Sequence, residues 1–263
     1  MDVSEIVWEL KKKPLERTLA SGKRADARAF DQYRTLVLEP GYVPKAEGSC
    51  LARLGDTQVL AGIKLSIGTP YPDTPDKGNI SVSAELGPLA NPAFEVGPPR
   101  EESIELARVV DRGIRESKML DLAALCITPK EKVWTVNIDL HMLDDNGNLL
   151  DCASLAAVKA LLNTRFPKYD ETENKIIYNE KTDKALPVAE KPVSSTFAKI
   201  GNSIILDPVL AEEKVLDTRL TIVTTENEIC AMQKSGNGTI TKRELDSMIE
   251  IAFNKAKEIR KQL

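Results

Sequence analysis

Arg108, Arg112 and Arg115 recur at i, i+4 and i+7, which puts three guanidinium groups on one face of a helix, with Arg100 near its start. Planar forks in such a row suit successive phosphates of a nucleic-acid strand better than lysines would. The competing reading is a solvated face laced by Glu105 and Asp111, each pair contributing roughly a few tenths of a kcal/mol. Asp207 and Glu213 follow a strand-like run and form a carboxylate pair that could hold Mg²⁺ or serve as acid and base. Acidic residues on a loop more often do no more than keep a surface solvated. The turn Asp144-Asp145-Asn146-Gly147-Asn148 joins a strand to a helix, where backbone N–H groups can hold an anion. Three aspartates, Asp144, Asp145 and Asp151, crowd it and no Lys or Arg lies within it, so it reads as an ordinary turn that repels phosphate. Asp139 and His141 share the polar face of one strand and, lacking a neighbouring nucleophile, read as sheet-surface or interface residues.

Composition narrows the chemistry. Of 263 residues, 42% are hydrophobic and 29% charged, enough for a sizeable core and incompatible with wholesale disorder. The net charge of −4 argues against a general nucleic-acid coat and leaves room only for a local basic stripe. The one histidine, His141, makes a His-ligated metal site implausible, and the sequence implies no cofactor. Cys50, Cys126, Cys152 and Cys230 form no C-x-x-C pair and read as buried, reduced thiols. No uncharged apolar window is long enough for a membrane span, and the charged N-terminus has no secretory signal, so a cytoplasmic protein is expected.

The elements that must position these residues follow from periodicity. The first 20 residues predict an amphipathic helix with Ile6, Val7, Leu10 and Leu15 or Leu19 on one side, kinked at Pro14. A polar, arginine-bearing connector from Ser21 to Arg34 follows. Strands are expected over 33–43, 48–54 and 57–67, the last two joined at Gly55-Asp56, with Val59, Ala61, Ile63, Leu65 and Ile67 on one face. A further strand is expected over 80–86. Residues 99–118 predict a helix with a buried stripe of Ile104, Ala107, Val110 and Ile114. Over 133–143, Trp134, Val136, Ile138, Leu140 and Met142 alternate with Thr135, Asn137, Asp139 and His141, the pattern of a sheet greasy on one side only. An Ala- and Leu-rich helix follows from Leu149. Residues 164–190 are charged and irregular, a bridge between two halves. Four more strands precede a last helix from Lys242 to about Lys261, introduced by a Thr241–Glu244 capping box, with a stripe of Leu245, Met248, Ile249, Ala252, Ala256 and Ile259. Strands then helix, twice over, predict an α+β protein of two related halves.

Five segments, GKRADARAFDQYR, EGSCLARLGDTQVLAGIKL, PREESIELARVVDRGIRES, DNGNLLDCASLAAVKALLNT and ILDPVLAEEKVLDTRLTIV, appear in an order that resembles the phosphorolytic RNase PH family from about residue 22 onward. Within it they are most similar to the non-catalytic ring subunits of archaeal exosomes. The resemblance implies an RNase PH-like fold: two tandem β-α units of the ribosomal-protein-S5-domain-2-like type, with mixed sheets and packed helices. The division expected is 1–30 helix and connector, 31–165 first domain, 166–190 linker and 191–263 second domain.

The same resemblance implies a ring of three heterodimers with a catalytic RNase PH-like partner. Such a ring carries RNA-binding cap proteins and degrades single-stranded RNA from the 3′ end with inorganic phosphate; no membrane is involved. Active members carry Gly-Ser/Thr-Arg at the strand-to-helix turn, where this chain has Gly147, Asn148 and Leu149. They carry two aspartates where this chain has Asp207 and Glu213. The missing arginine implies a subunit with no catalytic residues. Arg100, Arg108, Arg112 and Arg115 fall in the segment that faces RNA in this family. An active phosphorolytic nuclease trimming tRNA 3′ ends, and a scaffold that touches no RNA, are the alternatives.

Overall fold

A computed structural model describes residues 3–170, 173 and 175–263. α1 (Val3–Ala20) runs through Pro14. The first sheet contains β1 (Leu36–Pro40), β2 (Gly48–Leu54), β3 (Thr57–Gly68), β4 (Asn79–Glu85), β5 (Cys126–Thr128) and β6 (Lys132–Asp144). Its order is β1-β2-β3-β6-β4, with β5 paired to β6; β4 runs parallel to β6 and the other pairs are antiparallel. Gly55 takes the positive φ of 58° that the tight β2–β3 turn demands. Val59, Ala61, Ile63 and Leu65 of β3 and Val136, Ile138 and Leu140 of β6 are fully buried on one face. Thr135, Asn137, Asp139 and His141 lie half-exposed on the other.

α2 (Glu101–Glu116) and α3 (Leu149–Leu162) cover the apolar face. The second sheet is antiparallel throughout, in the order β10-β9-β11-β12: β9 (Val193–Ile200), β10 (Ser203–Leu206), β11 (Thr218–Thr224) and β12 (Ile229–Ser235). α4 (Leu210–Glu213) is a single turn between β10 and β11, and α5 (Lys242–Ile259) closes the fold. Thr241 and Glu244 form the expected capping box. Residues alternate along β11: Leu220 and Ile222 pack with Met248 and Ala252 of α5, whereas Val223 points the other way and lies against Gly113 of α2. α2 therefore rests on both sheets, and whatever it carries sits at their junction.

Four expectations need correction. Residues 164–190 are not irregular: β7 (Arg165–Asp170) and β8 (Lys175–Ala185) form an antiparallel ribbon, with residues 171, 172 and 174 outside the described set. Phe166 is buried and Tyr169 and Ile176 pack on the first-sheet core, but charged residues interrupt them, so the regular apolar alternation that reveals a strand is missing there. In α1, Trp8, Leu15 and Leu19 pack on Ala198, Ile200 and Ile205 of the second sheet, while Val7 and Leu10 are exposed; the Ile6 side chain lies outside the described residues. In α2, Leu106 and Val109 are buried and Ile104 is exposed, because the helix is covered from two directions rather than along one stripe. Cys50 and Cys152 are buried, whereas Cys126 and Cys230 are only partly so.

Candidate functional site

The arginine-bearing connector after α1 folds onto the segment that follows β10. Arg24 is buried, and its guanidinium donates to both carboxylate oxygens of Glu212 (3.0 and 2.6 Å) and to the Leu206 and Asp207 carbonyls. Arg34 grips Asp207 with two side-chain bonds, Nε to Oδ2 at 2.9 Å and Nη2 to Oδ1 at 2.7 Å, and its backbone N–H adds a third. Arg28 donates to Asp207 Oδ2 at 2.8 Å. Asp207 is wholly buried, so the surface-loop reading of this residue is wrong. Burial pushes its carboxyl up, but the hydrogen bonds and charge of Arg34, with help from Asn148, outweigh burial and hold it below the ordinary value. With both oxygens committed to arginines and Asn148, Asp207 is a fixed anion, unsuited to giving up a proton or binding a metal.

The same Arg34 ties this anion to the turn before α3. Its Nη1 donates to the Asn146 carbonyl and its Nη2 to the Gly147 carbonyl. Gly147 has φ +86°, and a Cβ there would stand 2.4 Å from the Leu210 nitrogen and 2.5 Å from the Val209 carbonyl carbon, so only glycine fits. Asn148, left-handed at φ 56°, caps α3 and donates from Nδ2 to Asp151 (2.9 Å) and Asp207 (2.8 Å). Asp151 is fully buried and also accepts from the Thr196 N–H, the Thr196 hydroxyl and the Tyr33 hydroxyl. Burial raises its pKa to about 6.

Three N–H groups of the turn that precedes α3 are in use. Asn146 N–H donates to Thr57 Oγ1, Gly147 N–H to Asp145 and Asn148 N–H to Glu213 Oε1 at 3.0 Å. Glu213 is raised to about 7, chiefly by burial, against the opposing charge of Arg219. A cleft of about 200 Å³ opens beside the turn. Leu149 lines it with four carboxylates, Glu102, Glu105, Asp145 and Glu213, against two cations, Lys214 and Arg219. The turn and helix start are as the sequence suggests, but they are locked into a network that spans both sheets.

Arg108, Arg112 and Arg115 lie about one to three turns further along α2 from Glu105, which lines the cleft. Arg108 is exposed and makes no hydrogen bond or ion pair among the described residues. Arg112 is half-buried and donates to Gln233 Oε1 at 3.0 Å. Arg115 pairs with Asp111 at 2.7 Å. Arg100, at the helix N-cap, pairs with Glu95 and stands apart from the other three. Glu105 does not lace the row: it accepts from Ser235 Oγ at 2.6 Å and pairs with Arg219 at 3.4 Å. On the open sheet face, Asp139 accepts from Ser83 and His141 pairs with Glu85, each across the β4–β6 ladder. Among the described residues no cluster of His, Cys, Asp or Glu is arranged to hold a metal ion.

Residues 32–167 match the model of 3′ exoribonuclease family domain 1, and residues 191–255 match that of domain 2. The chain belongs to the RNase PH family of 3′ exoribonucleases. It is 49% identical to the exosome complex component Rrp42 of Pyrococcus abyssi, over 99% of this chain and 96% of that protein. It is 47% identical to that of Archaeoglobus fulgidus, over 98% and 97%. Among solved structures it resembles a chain of the Archaeoglobus fulgidus exosome with RNA bound to the active site, at TM-score 0.89 and 46% identity, covering 98% of this chain and 99% of that one. A chain of an archaeal exosome core matches at TM-score 0.87 and 43% identity, covering 98% of each.

For an RNase PH-family chain, the residues that sequence reasoning missed are Arg24, Arg28, Arg34 and Arg219. Three arginines in a short polar connector were the only signal, and Asp26 beside them pairs with Arg28 at 2.7 Å. Their buried partners lie far along the chain, as with Arg28 and Asp207, 179 positions apart.

Proposed function

We propose that this chain is the non-catalytic RNase PH-like subunit of an archaeal-type exosome, which degrades RNA from the 3′ end by phosphorolysis. It pairs with a catalytic RNase PH-like subunit in a ring of three heterodimers, carries RNA-binding cap proteins and works in the cytoplasm. No helix among the described residues is long and apolar enough to cross a membrane. Residues 31–165 and 191–263 act as its two domains, joined by 166–190, with 1–30 as an N-terminal helix and connector.

The observation that carries the silent role is the occupied turn before α3. Where the family pattern places a phosphate-holding arginine, Leu149 faces a cleft with two more carboxylates than cations, and Glu213 takes the Asn148 N–H. An incoming orthophosphate would meet repulsion and find no free guanidinium. Asp207, the one retained aspartate of the active pattern, is held ionised between Arg28 and Arg34 and has no proton to give.

Arg108, Arg112 and Arg115, with Arg100 near the helix start, hold the phosphates of single-stranded RNA for the partner's active site. Their position on a helix gripped by both sheets supports this, since a rigid mount keeps guanidinium groups in register with a strand. Mixing the purified chain with its catalytic partner should give a large assembly that shortens RNA only when phosphate is present. Arg112→Glu combined with Arg115→Glu should weaken degradation without changing assembly mass. Phosphate-dependent release of nucleoside diphosphates by this chain alone overturns the silent role, and unchanged turnover in the double variant removes the arginines from it.

A further inference from the structure

The arginines of α2 are not electrically equivalent. Arg100 is paired with Glu95 and Arg115 with Asp111, so each carries a carboxylate at its side. Arg112 is different: its Nη2 donates to an uncharged acceptor, the side-chain oxygen of Gln233, at 3.0 Å. Gln233 lies on β12, the edge strand of the second sheet. Its neighbour Met232 turns to the opposite face and packs with α5. Two residues further on, Ser235 bonds Glu105 of the same helix at 2.6 Å. The second sheet thus holds α2 at Glu105 and again at Arg112, about two turns along the helix.

We propose that Gln233 is a positioning residue for RNA: it fixes the Arg112 guanidinium with one hydrogen bond while leaving its positive charge uncancelled and the rest of its fork free for a phosphate. This rests on the reading of α2 as an RNA contact. A neutral amide suits the task because hydrogen bonding to an amide oxygen orients the fork without opposing charge. A carboxylate in its place would form a charge-assisted pair and compete directly with RNA phosphate for the same donors. An aliphatic side chain would let the guanidinium swing among its rotamers and surrender the pre-organised geometry. Nothing in the contact touches reacting atoms, so the effect belongs in RNA binding and not in the chemical step.

The test uses the ring reconstituted from this chain and its catalytic partner, with an oligoribonucleotide and inorganic phosphate. Gln233→Glu should raise KM for RNA about tenfold, leave kcat within about twofold and reduce the log–log salt slope of RNA binding by about 0.7, the loss of one phosphate contact on a single strand. Gln233→Leu should raise KM by only about two- to threefold and leave that slope unchanged, because the charge remains. Assembly mass should be unaltered in both. If Gln233→Glu shows wild-type KM and slope while Arg108→Glu with Arg112→Glu raises KM, the positioning role is overturned and the RNA contact stands. If the arginine variant is also without effect, the underlying reading fails with it. A change in assembly or melting temperature with no change in salt slope likewise overturns the proposal, since it marks a purely structural contact.

Discussion

The backbone N–H of Asn148 donates to the Glu213 carboxylate at 3.0 Å, so the chain fills with its own side chain the turn from which a bound anion would otherwise be held. Restoring a cation there is therefore not enough. Leu149→Arg alone should bind orthophosphate no better than the unaltered chain, because Glu213 still occupies the amide and Asp145 still stands beside it. Isothermal titration with orthophosphate checks this; heat of binding at millimolar phosphate or below in the single variant would show that the carboxylate is no obstacle.

Glu213 and Asp151 give stability a pH dependence of definite sign. Burial raises them to about 7 and about 6, whereas carboxyls in an unfolded chain titrate near about 4. Both bind a proton more tightly in the folded state, so stability is greater at low pH and falls as pH rises from about 4 to 7, by at most about 1.4 kcal/mol per pH unit for each group. Asp207 acts oppositely, with its contribution present above the ordinary carboxyl pKa and lost in stronger acid. Urea unfolding at about pH 5, 6 and 7 should show the decline, and Glu213→Gln should flatten it. A variant with the same pH dependence as the unaltered chain would contradict the assignment.

Asp207 is the point where the connector, the α3 turn and the second sheet are tied together. Asp207→Asn leaves Arg28 and Arg34 facing each other over a neutral amide in a buried site. Removing one partner of a buried pair typically costs about 3–5 kcal/mol, and a loss of that order is expected in urea denaturation. A loss under about 1 kcal/mol would mean that the cluster relaxes into water.

Gly147→Ala tests the same junction from the backbone side. The left-handed φ of +86° alone costs a non-glycine residue about 1–2 kcal/mol. The added Cβ also overlaps backbone atoms at Val209 and Leu210, which no side-chain rotation can relieve. A melting temperature lowered by several degrees is expected. Serine at this position should behave no better, because both carry the offending Cβ; tolerance of either would show that α4 moves aside freely.

The sheets were legible because β3 and β6 bury every second residue, and α5 because Thr241 and Glu244 announce its start. Asp207 was not legible. Locally it is an acid after a strand; what makes it a buried anchor is Arg34, 173 positions earlier, and no local pattern encodes that approach. The arginine spacing in α2 identified the shared face, and Asp111 paired with Arg115 as helix geometry suggests. Glu105 escaped because a residue from the second sheet, Ser235, outcompetes its helical neighbours. In the β7–β8 ribbon Phe166 is buried and Tyr169 and Ile176 pack on the core, but the charged residues between them leave no regular alternation to read.

RNA affinity offers the most direct measure of the arginine face. Each phosphate neutralised on a single strand contributes about −0.7 to the log–log dependence of affinity on salt, so Arg108, Arg112 and Arg115 together account for about −2. Replacing all three with glutamine in the reconstituted ring should make the slope shallower by about that amount, with little change in assembly mass. Arg115 must leave Asp111 to take part, but that pair is solvent-exposed and such pairs contribute at most about 1 kcal/mol, less than a new phosphate contact returns. Replacing Arg100 alone should shift the slope least, because it lies at the helix N-cap and is already matched by Glu95. Fluorescence anisotropy of a labelled oligoribonucleotide across a salt series distinguishes the outcomes; a slope unchanged in the triple variant would assign these arginines to subunit contacts instead of RNA.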